Sequence, residues 1–143
     1  MGLMDVMKIS GGALKANRTR METIASNLAN AQTTRTEEGG PYKKKEVIFR
    51  STAVGEGKDF SDLLSGRLDT VKVEDIVESD KPVNKIYEPG HPDADESGYV
   101  ALPNVNVMEE MADMTAAARA YEANVNMVNT AKEMFMKALE IIR

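Results

Sequence analysis

The clearest hydrophobic pattern in the chain runs from Val107 to its end. Steps of four and three pick out Val107, Met111, Met114, Ala118, Tyr121, Val125, Val128, Lys132, Phe135, Leu139 and Ile142, all apolar except Lys132. No Gly or Pro interrupts the run, so the spacing predicts a helix of ~36 residues, about 54 Å long. Asn106 stands where an N-cap belongs, and Glu109 three residues on suits a capping box. A second row keeps the same steps through Ala117, Ala120, Asn124, Met127, Ala131, Met134, Ala138 and Ile141. It lies about 110° around the helix from the first row. The remaining arc carries Arg119, Glu122, Asn126, Asn129, Glu133, Lys137 and Glu140, a solvated side.

The first thirty residues repeat more sparsely. Met7, Leu14, Met21 and Leu28 recur every seventh position, beside a companion row of Leu3, Ser10, Asn17, Ile24 and Ala31. This spacing predicts a helix from about Leu3 to Ala31 with a narrow apolar seam. Gly11-Gly12 weakens it by about 2 kcal/mol relative to alanine. Gln32-Thr33-Thr34 should end it, and Gly39-Gly40-Pro41 closes off any continuation.

Between the helices the pattern shortens. Glu46–Phe49, Thr70–Val77, Val83–Tyr87 and Tyr99–Leu102 read as strands, the last two bounded by Pro82, Pro89 and Pro103. Ser51 to Gly66 is rich in Gly, Ser and charge and reads as a long mobile loop. All five Pro lie between 41 and 103, whereas all ten Met lie in residues 1–21 or 108–136. The expected fold is mainly α with a small β insert. Residues 1–36 and 104–143 form paired, coiled-coil-like terminal helices, and residues 37–103 a β-rich domain.

Composition narrows the function. The 143 residues carry a net charge of −5, which argues against nucleic-acid binding. There is no Cys, hence no disulfide, thiolate metal site or cysteine nucleophile, and a single His leaves little catalytic apparatus. No run reaches the ~18 apolar residues of a membrane span, and the N-terminus lacks a basic-then-apolar cleavable signal. No enzyme, cofactor or membrane insertion is expected. Charge is also segregated, at +3 over residues 1–36, −6 over 37–103 and −2 over 104–143. Opposite signs favour the two terminal segments lying side by side.

Four local motifs bear on chemistry. Asp93, Asp95 and Ser97 open like a calcium loop, but the twelfth position is Asn104, and Pro89 and Pro92 forbid the entering helix. An acidic turn is the better reading. His91 has no second His and no nucleophile beside it. Tyr42-Lys43-Lys44-Lys45 suits pairing with an acidic patch on a neighbour or solvation of a strand start. Gly55-Glu56-Gly57 lacks the third glycine and the following helix of a nucleotide loop.

The two seams of the C-terminal helix carry the functional argument. One seam needs one neighbour; two adjacent seams need at least two. The chain offers one other long helix, so the small-residue, Met-rich row is expected to meet another molecule. Left in water it would expose roughly 300–500 Å² of apolar surface, on the order of 10 kcal/mol. That points to an assembly subunit. A discrete helical adaptor is the alternative from another class, and a calcium-binding module a weaker one.

The residues Ser10-Gly11 and Ile24-Ala25-Ser26-Asn27-Leu28-Ala29-Asn30-Ala31-Gln32-Thr33 resemble the N-terminal signature of the flagellar rod, hook and hook-associated axial proteins. Gly39-Gly40-Pro41-Tyr42, Leu102-Pro103-Asn104-Val105-Asn106-Val107 and Ala118-Arg119-Ala120-Tyr121-Glu122-Ala123-Asn124 are similar to subunits of the proximal rod within that family. One departure is Gly12, where family members often carry Leu or Met. The resemblance implies a structural subunit exported by the flagellar type III apparatus without signal cleavage. It further implies assembly in the periplasm, with copies of itself and other rod proteins, into a helical tube that transmits torque and surrounds the export channel. The expected interface residues are Met7, Leu14, Met21, Ile24, Asn27, Leu28 and Asn30 in the first helix. In the second they are Met111, Met114, Ala117, Ala120, Tyr121, Asn124, Met127, Ala131, Met134 and Ala138. Asn27, Asn30 and Asn124 are expected to bridge helices by hydrogen bonds.

Overall fold

Two long helices bracket four short strands in a computed structural model that describes residues 3–53 and 68–141. Helix α1 spans Leu3–Ala29 and helix α2 spans Val107–Ile141. The Asn106 side chain accepts a hydrogen bond from the Met108 N–H at 3.1 Å, so α2 is capped where the sequence places the cap. Helix α1 stops two residues before the predicted boundary. Turn bonds from the Asn30 and Thr33 N–H groups replace its last rungs, and Gly39 and Gly40 then reverse the chain at φ +87° and +82°.

The helices lie antiparallel. Ser10 meets Met127 and Asn27 meets Glu110, so the register advances seventeen residues on each helix without slipping. In that register Leu3 lies opposite residue 134, and residues 135–141 continue past the start of α1 by about 10 Å. Strands β1 (Lys45–Ala53) and β2 (Asp69–Glu78) pair antiparallel from Lys45↔Glu78 to Ala53↔Asp69. A bulge after Ile48 leaves Glu74 as the extra residue. Strands β3 (Asn84–Tyr87) and β4 (Tyr99–Leu102) form a separate antiparallel pair. Ser51 to Ala53, read as the start of a loop, instead complete β1; the rest of that segment lies outside the described residues.

Helix α1 is the central element, with α2 on one side and the β1–β2 hairpin on the other. Strands β3 and β4 pair with no other strand among the described residues, and Val100 of β4 is buried at 2 % exposure. The hairpin approaches α1 closely at Gly12, where a Cβ would sit 2.2 Å from Thr70 Oγ1 and 3.0 Å from the Val71 carbonyl. The glycine that weakens the helix is what admits the hairpin.

The stripe that α2 turns toward α1 draws on both rows. Ala117 and Ala131, from the small-residue row, are buried. Met114, Ala118, Tyr121, Val125 and Val128, from the larger row, are half-buried, and both rows are bare where α1 runs out, with Met134 66 % and Phe135 47 % exposed. Small side chains let two helix backbones approach, so Ala117 and Ala131 lie closest to α1. On α1 the companion row does the same work: Ser10 and Ile24 are buried, while Leu14, Met21 and Leu28 are half-buried and Met7 exposed.

Candidate functional site

A buried polar cluster joins the helical pair to the middle segment. Glu110 lies one heptad before Ala117 on the small-residue row, and it is 1 % exposed. One carboxylate oxygen takes the Lys44 ammonium at 2.7 Å, and the other accepts from Asn27 Nδ2 at 3.0 Å. Asn27 also donates to the Lys45 carbonyl, and its Oδ1 accepts from the Tyr42 hydroxyl and the Lys45 N–H, each at 2.9 Å. Both donors and both acceptor positions of the amide are therefore used, which satisfies a buried side chain completely. The Lys44 N–H donates to Asn104 Oδ1, and Asn104 donates on to the Lys81 carbonyl. One connected network thus ties α1, the start of β1, the turn before α2, and α2 itself.

The Glu110 carboxylate holds the Lys44 ammonium above its usual value, chiefly through their hydrogen bond. Burial works in the opposite direction, and Coulombic attraction to Glu110, Glu46 and Glu109 adds to the rise. Lys43 reaches Glu78 at 3.6 Å. The lysine run expected to meet an acidic neighbour, or merely to solvate a strand start, thus pairs within its own chain at two of three positions.

The three asparagines differ in what they bond within the chain. Asn27 links the helices, whereas Asn30 donates to the Ser26 carbonyl and Asn124 to the Ala120 carbonyl, each four residues back in its own helix. Those two bonds compete with the helix ladder and fix nothing across it. Met127 accepts from the Ser10 hydroxyl at 3.2 Å and lies at the edge of the pair. Met114, Ala120 and Tyr121 are half-buried, and Met134 and Ala138 are exposed. Sequence reasoning missed Glu110 and Lys44. The available signal was a carboxylate one heptad ahead of an alanine row, with a lysine run elsewhere to neutralise it.

What the outer surface offers is apolar area rather than a reactive cleft. Met108, Met111, Met134, Phe135, Met136, Leu139 and Ile141 are all more than 45 % exposed on one helix. Among the described residues no acidic or histidine cluster is arranged to hold a metal, and no helix is long and apolar enough to cross a membrane. Asp95 Oδ1 accepts from the Ser97 and Tyr99 N–H groups, so the calcium-like sequence is an Asx turn opening β4.

The comparisons with known proteins fall on these elements. The family described as flagella basal body rod protein matches residues 7–35, most of α1 and the turn after it. The family described as flagellar basal body rod FlgEFG protein C-terminal matches residues 96–141, which includes β4 and all of α2. A flagellar basal-body rod protein FlgC from Borreliella burgdorferi is 40 % identical, with all of this chain and 99 % of the relative covered. The chain belongs to the FlgC family of flagellar basal-body rod proteins. The FlgC of Bacillus subtilis is 42 % identical over 94 % of this chain and 95 % of its own length. That of Escherichia coli O157:H7 is 40 % identical over 99 % and 98 %. FlgC proteins are structural components of the rod, not enzymes, in keeping with a surface built for contact.

Proposed function

We propose that this chain is a subunit of the proximal rod of the bacterial flagellar basal body. It polymerises through its terminal helices, with copies of itself and with other rod proteins, into a helical tube that transmits torque and surrounds the export channel. Residues 1–36 and 104–143 form the coiled-coil-like assembly domain, and residues 37–103 an outer layer. The chain reaches the periplasm through the flagellar type III apparatus without signal cleavage. The observation that carries this reading is the apolar end of α2, where Met134, Phe135, Met136, Leu139 and Ile141 are 47–85 % exposed at and beyond the start of α1. Large apolar side chains bared together at one helix end mark a contact surface.

The face also decides which variants test the proposal. Ala131→Glu would force a charge under α1, and Ala120→Glu a charge at its half-buried margin, so neither separates assembly from folding. Phe135→Glu and Leu139→Glu lie on the uncovered side. In cells whose own copy is replaced, both variants should be absent from purified basal bodies and abolish swimming. The isolated chain should keep its helix content by circular dichroism. Normal swimming with both variants incorporated would defeat the proposal.

A further inference from the structure

Two surface features have no part in the helical pair, and they lie at opposite ends of α1. The first is the turn end of the β3–β4 hairpin. Its Tyr87 and Tyr99 rings meet edge to face with centroids 5.3 Å apart, yet Tyr87 is 61 % exposed. Gly98, at φ +80°, lets the Tyr87 ring lie over the backbone; a Cβ there would meet Tyr87 Cε2 at 2.9 Å and Pro89 at 3.2 Å. The aromatic pair is therefore held in place without being covered, the state of a pre-ordered contact residue. Around it residues 84–102 carry four carboxylates against Lys85 alone, a net charge of −3. The side chains of Glu88 and Glu96 pair with nothing among the described residues.

The second feature is a groove of about 640 Å³ between α1 and β2. Gly12, Ala16 and Val71 make an apolar floor, and Lys8, Lys15 and Lys72 line its rim. None of these lysines has an ion pair among the described residues. Apolar floor and cationic rim complement an aromatic pair flanked by carboxylates.

The two cannot meet within one chain. The Thr34 hydroxyl donates to Asp93 at 2.8 Å and ties the hairpin beyond the C-terminal end of α1. The groove reaches no further along α1 than Thr19, which is ten residues or about 15 Å of helix before Ala29. We propose that the acidic, tyrosine-bearing end of the β3–β4 hairpin of one subunit seats in the lysine-rimmed groove between α1 and β2 of a second copy of this chain. The contact is heterologous and head-to-tail, so repetition builds an open helical row instead of a closed dimer. It rests on the rod-subunit reading and adds to it a contact outside the helical faces.

Because the chain has no cysteine, introduced thiols report proximity cleanly. Cells making a Tyr87→Cys copy together with a Lys72→Cys copy would be used to purify basal bodies, which are then treated with a short bismaleimide. A crosslinked dimer of this chain is expected only when both copies are present. Its yield should be severalfold above that of Tyr87→Cys with Lys137→Cys, a position on the solvated side of α2. Lys8→Glu with Lys15→Glu in the groove copy should lower the yield about tenfold, and Glu88→Lys with Glu96→Lys in the hairpin copy should restore it. The same pairs are read in the purified full-length chain at high concentration, since a damaged groove can block assembly outright. A yield equal to the control in both settings, indifference to charge reversal, or a crosslink to a different rod protein would each overturn the proposal. Absence of the unsubstituted chain from basal bodies would instead overturn the reading beneath it.

Discussion

Lys44 and Glu110 are joined at 2.7 Å across sixty-six residues of sequence, in a site where the carboxylate is closed off from water. The pair stands where β1 leaves the helices, so it sets the angle between the middle segment and the α1–α2 pair. Asn27 shares the same carboxylate, which makes the joint a three-element contact instead of an isolated bridge.

Removing one partner should cost far more than removing both. Glu110→Ala leaves the Lys44 ammonium and one Asn27 N–H without an acceptor, and the expected destabilisation is about 3–5 kcal/mol. Glu110→Leu with Lys44→Met removes the buried charges together and should recover part of that loss. Urea unfolding of the full chain followed by circular dichroism measures both. Equal losses in the single and double variants would show that the charge pair is not the source.

The raised Lys44 gives the fold an alkaline limit. The folded chain holds this proton more tightly than the unfolded chain, whose lysine titrates near 10.5. The pair's contribution is therefore complete below about that pH and is lost as pH rises through the higher folded value. The urea midpoint should fall in that alkaline range, and Lys44→Met should flatten this part of the profile.

The neighbouring glycines of α1 should respond in opposite ways. Nothing lies within 4 Å of a Cβ at position 11, so Gly11→Ala should stabilise by about 0.5–1 kcal/mol through helix propensity. Gly12→Leu meets Thr70 and the Val71 carbonyl and should destabilise by about 1–3 kcal/mol by overpacking. Thermal midpoints of the two variants, moving in opposite directions, are the check.

Thr70 carries a further expectation. Its hydroxyl oxygen is buried without a hydrogen-bond partner, pressed against Gly12. Thr70→Val keeps the shape and removes the unsatisfied group, so stability should be unchanged or higher by up to about 1 kcal/mol. A marked loss in the same unfolding assay would mean the hydroxyl has a partner in solution.

The N-cap is the most local prediction. Asn106→Ala removes the acceptor of the Met108 N–H and should cost about 0.5–2 kcal/mol, while Asn106→Asp should retain most of the stability. Denaturant titration of both variants distinguishes a cap from a merely exposed polar residue.

The elements themselves were legible in the chain as written. Helix α2 follows from unbroken four-and-three spacing, its start from Asn106, and the strands from short β-branched runs between prolines. These are local properties, because propensity, capping and periodicity act over one or two turns. The resemblance to flagellar axial proteins was equally local, resting on contiguous stretches at both ends.

Which face meets which partner was not local. Two apolar rows on α2 have similar hydrophobicity, and periodicity cannot rank them. Position along the helix divides them instead: beside α1 Ala117 and Ala131 are buried and Val125 and Val128 half-buried, whereas Met134 and Phe135, one from each row, are exposed where α1 runs out. The same holds for Glu110, Lys44 and Asn27. A carboxylate, an ammonium and an amide far apart in sequence become one buried group only when α1, β1 and α2 are brought together. Burial then makes each of them require the other two.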